Sequence, residues 1–242
     1  MGTAIGLEIA GSADPGLTRR MADATFAWFH EVDQRFSTFK HGSEVNRLDR
    51  GELAIEECSA DLRWVLCESA RLWDETDGYF DVHAAGHLDP SGFVKGWSVQ
   101  VASDRLAATG LTDHCLNAGG DVRVRGCDGN GSLWRIGIQH PFENQHISWV
   151  LAAADLAVAT SGTYERGFHV LDPLRRIPAR DLCSVTVTGP DLGKADAYAT
   201  AAVAMGAKGL DWLAALPGYE CAVVTDDGLA FRSEGLQVAP VP

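Results

Sequence analysis

A strand-like run that passes directly into a helix of small residues constrains the fold of this chain most. The run and the helix lie between Ser184 and Gly206, and alanine fills much of the helix. Residues four apart on a helix face the same way, so the Asp196 carboxylate and the Thr200 hydroxyl should project together. Such small neighbours add little bulk around the pair, and two hard oxygen ligands on one face suit Mg²⁺.

The same spacing has a simpler explanation. When an Asp and a Thr at this spacing stand alone, a structural explanation is the commoner one. The acid then lies near a helix N-terminus, and the threonine hydroxyl bonds back to a carbonyl. In both cases we expect the Asp196 side chain to lie on the helix surface, where its removal costs little stability.

The periodicity of the whole chain indicates an α+β protein, because strands outnumber helices and do not alternate with them strictly. Helices are predicted at 17–36, 61–76, 95–106, 194–206 and 208–215, and strands at 2–9, 115–124, 134–139, 147–152, 156–160 and 182–188. The Asp227-Gly228 step predicts a further hairpin. We therefore expect a single domain over residues 1–237, with a mostly antiparallel or mixed sheet, flanking helices and a flexible tail at 238–242.

Charge and composition exclude several classes of function. The formal net charge of −13 argues against a nucleic-acid partner, since no basic tract is present to displace counterions. No apolar run approaches the roughly 20 residues that a membrane span needs. The first residues follow a strand pattern and not that of an export signal, so the chain as given is expected in the cytoplasm. The six cysteines show no C-x-x-C spacing, which argues against a zinc knuckle.

Short blocks of polar residues and glycines follow one another in a distinctive order. They are Met1-Gly-Thr3, Phe36-Ser-Thr-Phe39, Ser43-Glu-Val-Asn46, Thr76-Asp-Gly-Tyr-Phe-Asp81, Asp89-Pro-Ser-Gly-Phe-Val-Lys95, Asn117-Ala-Gly-Gly-Asp121, Thr160-Ser-Gly162 and His169-Val-Leu-Asp-Pro173. In order and spacing these blocks resemble the ApbE family, the FAD:protein FMN transferases. The resemblance covers nearly the whole chain.

The resemblance implies an ApbE-like fold and a Mg²⁺-dependent (or Mn²⁺-dependent) transfer of FMN from FAD to a threonine or serine of an acceptor protein, with release of AMP. It implies that the metal is held by the Gly92 carbonyl, Asp196 and Thr200, and that His169 and Asp172 are catalytic. The implied contacts of the flavin nucleotide are Met1, Gly2, Thr3, Phe39, Tyr79, Phe80, Asp81, Asp89, Lys95 and Val170.

Two segments leave alternatives open. The family commonly continues Arg-Thr-Gly after the His-x-x-Asp-Pro block, whereas this chain reads Leu174-Arg175-Arg176. A histidine close to an aspartate is also more often a structural pair than a catalyst. The rival functions are a bimetal FAD pyrophosphatase, which would release free FMN and AMP, and an FAD-binding protein without turnover. His83 and His87 lack the glutamate of a zinc helix, so we assign that segment to a loop without metal.

Overall fold

A seven-stranded antiparallel sheet forms the centre of the protein, with helices packed on one face and a small sheet on the other. The structure is a computed structural model and describes residues 2–143, 146–162 and 170–240. The strand order in the large sheet is β1-β2-β3-β6-β9-β10-β11, and the small sheet has the order β12-β5-β4. A separate two-stranded hairpin is formed by β7 and β8.

The strands are β1 (Ile5–Ile9), β2 (His114–Ala118), β3 (Asp121–Arg125), β4 (Trp134–Gln139), β5 (Ile147–Ala153), β6 (Asp155–Gly162), β7 (Leu171–Asp172), β8 (Ile177–Pro178), β9 (Leu182–Gly189), β10 (Glu220–Thr225), β11 (Ala230–Arg232) and β12 (Val238–Ala239). The helices are α1 (Pro15–Phe36), α2 (Glu44–Asp49), α3 (Ala60–Glu75), α4 (Ser91–Ala108), α5 (Leu192–Met205) and α6 (Lys208–Ala214), with a 3-10 turn at Ile55–Glu57.

Local sequence signals explain where the main helices begin. The Asp14 carboxylate accepts hydrogen bonds from the amides of Gly16 and Leu17, and Pro15 occupies the first turn of α1. Ser59 caps α3 through the Leu62 amide, and Asp191 caps α5 through the Lys194 amide. These caps supply partners for amide groups that a helix leaves unpaired at its N-terminus.

Strand β3 is buried on both faces of the large sheet. Val122 and Val124 pack against the small sheet. The polar side chains of Asp121 and Arg123, which alternate with these valines, face α4. There Lys95 pairs with Asp121, and Gln100 accepts from Arg123 at 3.1 Å. A strand covered on both sides must bury its polar residues, and each of these finds a partner on the helix.

The structure confirms the α+β class and the mostly antiparallel sheet. Strand β4 has the predicted bounds, and the predicted hairpin is formed by β10 and β11. The predicted strand at 115–124 is two strands, because Gly119 and Gly120 form a turn with φ values of 60° and 96°.

Three expected boundaries are wrong. Strand β1 begins at Ile5, three residues after the predicted start at residue 2. Helix α4 begins at Ser91, four residues before the predicted start at Lys95, so Ser91 and Gly92 belong to its first turn. The tail prediction fails at Val238–Ala239, which pairs with Leu151 and Val150 of β5. Within the described ranges, no helix combines the length and the apolar character that crossing a membrane requires.

Candidate active site

A cavity of about 540 Å³ opens where the first turns of α4, the middle of α5 and the end of β6 meet two loops. The assigned residues that line it come from several separate segments of the chain: Gly2, Thr3, Phe39, Tyr79, Phe80, Asp81, Asp89, Gly92, Lys95, Val170, Asp196 and Thr200. The structure therefore brings the proposed nucleotide contacts and the proposed metal ligands to one place.

Three further residues were assigned to the site from the sequence. Met1 and His169 lie outside the described residues. Asp172 is buried next to the cavity-lining Leu171, at the turn end of the β7–β8 hairpin. Its Oδ1 accepts from the amides of Leu174 and Arg175 at 2.9 and 3.0 Å, so the carboxylate shapes the turn that follows it.

Asp196, Thr200 and Gly92 lie next to one another on the cavity wall. The Asp196 Oδ2 atom accepts from the amide of Gly96 at 3.0 Å, and Thr200 Oγ1 lies 3.1 Å from Ser161 Oγ. A Cβ atom on Gly92 would stand 3.5 Å from Thr200 Oγ1. One carboxylate, one hydroxyl and the first turn of α4 therefore lie on the wall of the same cavity.

The expectation that Asp196 lies on the helix surface is wrong, because only 2% of this residue is exposed. Helix α5 is buried along nearly its whole length and packs tightly against α4. The close approach depends on Gly96, where a Cβ atom would stand 2.3 Å from the Leu192 carbonyl oxygen. No larger residue fits at that position without separating the two helices.

Lys95 supplies the positive charge at this site. Its Nζ contacts Asp121 Oδ2 within hydrogen-bond distance and lies 3.4 Å from Asp196 Oδ1. Burial alone would lower the pKa of Lys95, but the charges of Asp196 and Asp121 outweigh that effect and raise the pKa. The ammonium therefore stays protonated at neutral pH.

The surroundings of the Asp196 carboxyl disfavour its charged form. Burial raises the pKa of Asp196 well above its ordinary value, and the charge of Asp121 raises it further. Lys95 and the Gly96 amide oppose this rise. A divalent cation bound to the carboxylate would favour the charged form in the same way that Lys95 does.

Loop residues 37–40 place an aromatic side chain at the mouth of the cavity. The Asn46 amide group donates to the carbonyls of Thr38 and Lys40, both at 2.9 Å, and so fixes the loop. Phe39 is 97% exposed at its tip. An aromatic ring in this position offers a face on which a planar ring of a ligand can stack.

Asp121 and Ser161 were not among the site residues predicted from the sequence. Both stand inside blocks that were recognised, but neither block showed which of its polar residues would turn towards α4 or α5. One feature of the sequence could have identified Asp121. It lies two residues before Arg123, on the same face of β3, and the other face of that strand is apolar.

Residues 1–87 and 83–223 match the ApbE family model. The chain belongs to the ApbE family. One ApbE relative is the FAD:protein FMN transferase of Rhodobacter capsulatus, which is 36% identical over 158 residues, or 62% of this chain and 30% of the relative. That of Vibrio cholerae is 33% identical over 130 residues, or 50% of this chain and 39% of the relative. The aligned segments thus span less than half of these relatives.

Solved ApbE structures share the fold. The flavin transferase ApbE from Vibrio cholerae superposes with a TM-score of 0.86 at 23% identity, covering 97% of this chain and 94% of the other. The ApbE protein from Thermotoga maritima gives a TM-score of 0.83 at 23% identity, covering 96% of this chain and 97% of the other. At this identity the likeness establishes the fold alone.

Proposed function

We propose that this chain is a Mg²⁺-dependent transferase that moves FMN from FAD onto a threonine or serine hydroxyl of an acceptor protein and releases AMP. The observation that carries the proposal is the common cavity, whose wall holds both the assigned nucleotide contacts and the assigned metal ligands Gly92, Asp196 and Thr200. The names of the ApbE relatives support the same activity.

The residues at the cavity wall fit a magnesium ion. Asp196 and Thr200 offer a carboxylate and a hydroxyl, which are ligand types that Mg²⁺ accepts, and carbonyl oxygens are of the same hard type. The Gly96 amide donates to Asp196 Oδ2 at 3.0 Å, so the carboxylate lies against the first turns of α4. Gly92, whose carbonyl we take as a further ligand, stands in the first of these turns.

A bound Mg²⁺ would neutralise phosphate charge and so supply electrostatic stabilisation. The residues of the chain then position FAD, with Lys95 adding positive charge beside the ion site. The acceptor oxygen attacks the phosphorus of the FMN half, the bond from that phosphorus to the bridging oxygen breaks, and AMP leaves with the bridging oxygen. The hydroxyl proton needs a base, and His169 is our candidate because it directly precedes the cavity-lining Val170.

The role of His169 can be tested by His169→Asn, which keeps a polar side chain but removes the titrating base. We expect FAD affinity to survive while transfer falls by roughly 10²–10⁴, the usual range for general acid–base assistance. A wild-type rate of transfer in the variant would show that the base is another group.

The activity itself is tested by incubating the protein with FAD, Mg²⁺ and candidate acceptor proteins, followed by mass spectrometry of the acceptor and of the small molecules. The proposal predicts covalent FMN on a threonine or serine, together with AMP. Free FMN and AMP without modified acceptor would favour the FAD pyrophosphatase. Bound but unchanged FAD would favour a binding protein without turnover.

A further inference from the structure

Asp121 is a buried carboxylate to which the reaction above gives no task. Its residue is fully buried at the start of β3, behind Lys95, and it is not part of the cavity wall. A buried carboxylate is costly unless charged or hydrogen-bonded partners compensate it. The partners of Asp121 therefore indicate what it does.

Both oxygens of Asp121 have defined contacts. Oδ1 accepts from the amide of Thr160 on β6 at 3.3 Å, and Oδ2 contacts the Lys95 ammonium within hydrogen-bond distance. The carboxylate thus connects β3, β6 and α4. It is fixed on the sheet side and binds the lysine on the helix side.

The Lys95 ammonium is shared unequally between two carboxylates. Its contact with Asp121 is a hydrogen bond, whereas its distance to Asp196 Oδ1 is 3.4 Å. Charge-assisted hydrogen bonds between nitrogen and carboxylate oxygen are usually about 2.7–2.9 Å long. The Asp196 Oδ1 atom is therefore near a positive charge without being the acceptor of a short hydrogen bond from it.

We propose that Asp121 is a positioning residue, which holds the Lys95 ammonium away from Asp196 and so keeps the Asp196 carboxylate available to a divalent cation. The inference rests on the proposed function, because it takes Asp196 as a metal ligand. Without Asp121, the nearest anion for Lys95 would be Asp196, and the lysine would compete with the metal for the same oxygen.

The variant Asp121→Asn tests this at nearly constant shape. The amide oxygen can still accept from Thr160, but its NH₂ group would face the Lys95 ammonium, donor against donor. We expect the lysine to move onto Asp196. Titration with Mn²⁺ alone, followed by electron paramagnetic resonance of the free ion, should then show an affinity at least about tenfold weaker than wild type, as is usual when a group that orients a metal ligand is lost.

The same substitution in a Lys95→Met background separates positioning from simple charge. With no lysine to misplace, Asp121→Asn should change Mn²⁺ affinity by less than about threefold. If Asp121 acted only through its negative charge, it would weaken Mn²⁺ binding in both backgrounds alike. Equal weakening would overturn the proposal, as would no weakening in the wild-type background.

Asp155→Asn is the matched control, because Asp155 pairs with the buried Arg123 on the same face of the sheet. It should leave Mn²⁺ affinity unchanged. If Asp121→Asn does not fold, the Lys95→Met variant alone tests the proposal. Removing the competing cation should leave the Mn²⁺ affinity equal to that of wild type or stronger. A weaker affinity would contradict the proposal.

The outcomes also separate this inference from the proposed function. A wild-type protein that does not bind Mn²⁺ would refute the metal site and, with it, the role of Asp121. Wild-type binding that Asp121→Asn leaves intact would refute the role of Asp121 alone.

Discussion

The small sheet and the contact between α4 and α5 follow opposite rules. In β4 the apolar residues Trp134, Ile136 and Ile138 are buried, and the residues between them are exposed. At the helix contact, Asp196 is buried among alanines, and Lys95 and Asp121 lie beside it. Apolar packing alone explains a sheet in which buried apolar and exposed residues alternate. The burial of charged groups between two helices needs another explanation. The proposed catalytic site is that explanation.

The largest effect should come from Asp196→Ala. Loss of the carboxylate removes the charged metal ligand, so transfer should fall by at least about 10²-fold, as for loss of a central electrostatic group. The free energy of unfolding should change by less than about 2 kcal/mol, because removal of a costly buried charge offsets the hydrogen bond lost at Gly96. Acceptor flavinylation and urea denaturation measure the two quantities. Full transfer at ordinary Mg²⁺ would refute the metal assignment.

Gly96→Ala should break the helix contact itself. The added Cβ would stand 2.3 Å from a backbone carbonyl oxygen, so we expect about 3 kcal/mol or more of lost stability. The matched control is Gly137→Ala in β4, where the Cβ would meet the flexible end of Ile147 at 3.1 Å. That variant should stay within about 0.5 kcal/mol of wild type in urea denaturation. Similar losses in the two variants would contradict the contrast between the regions.

Thr200→Val keeps the shape of the side chain and removes its hydroxyl. We expect transfer to fall by about 10–100-fold, since one neutral metal ligand is lost while the carboxylate stays. Thr186→Val is the control, because Thr186 makes a comparable hydroxyl contact with Thr160 at 2.9 Å on the next strand. It should reduce stability by about 1 kcal/mol with transfer nearly unchanged. Equal loss of transfer in both would argue that the hydroxyls serve packing alone.

The smallest effect is expected from His114, a buried titratable group that does not line the cavity. Its ring nitrogens lie 2.7 Å from Ser103 Oγ and 2.8 Å from the Leu111 carbonyl, and burial lowers its pKa. The unfolded chain therefore binds the proton more tightly than the folded one. This contribution to stability is present above the unfolded pKa of about 6.5 and is lost as the pH falls through the lower folded value.

Denaturation of wild type and His114→Gln at about pH 8 and about pH 5 checks this. The wild-type protein should lose more stability on acidification than the variant, because only the wild type must protonate this buried imidazole. Identical pH dependence in the two proteins would contradict the assignment of a depressed pKa to His114.

The regular parts of the fold were predictable from the sequence because local signals determine them. The alternation of Trp134–Gln139 defined β4, and the Asp227-Gly228 step marked the β10–β11 hairpin. The short strands β7, β8 and β12 were missed, since two residues carry no periodicity. The burial of Asp196 was missed because it depends on α4, which is distant in sequence.

The sequence blocks also predicted which segments would meet at the cavity, while the roles of their residues stay predictions. Recognised blocks supplied the residues that line the cavity, yet they did not show that Asp121 would reach Lys95 across the contact between β3 and α4. Such a pairing depends on how a strand lies beneath a helix. No single segment of the sequence shows that arrangement. Asp172 was assigned to catalysis, and the structure shows its Oδ1 bonded to the turn that follows it.

The most direct test of the account is a crystal structure with FAD and Mn²⁺, with data recorded at the manganese absorption edge. We predict one anomalous peak within bonding distance of the Asp196 carboxylate, Thr200 Oγ1 and the Gly92 carbonyl, with FAD in the cavity and Lys95 still bonded to Asp121. A peak at other residues, or FAD bound outside this cavity, would contradict the claim that the buried charge between α4 and α5 is there to hold the metal.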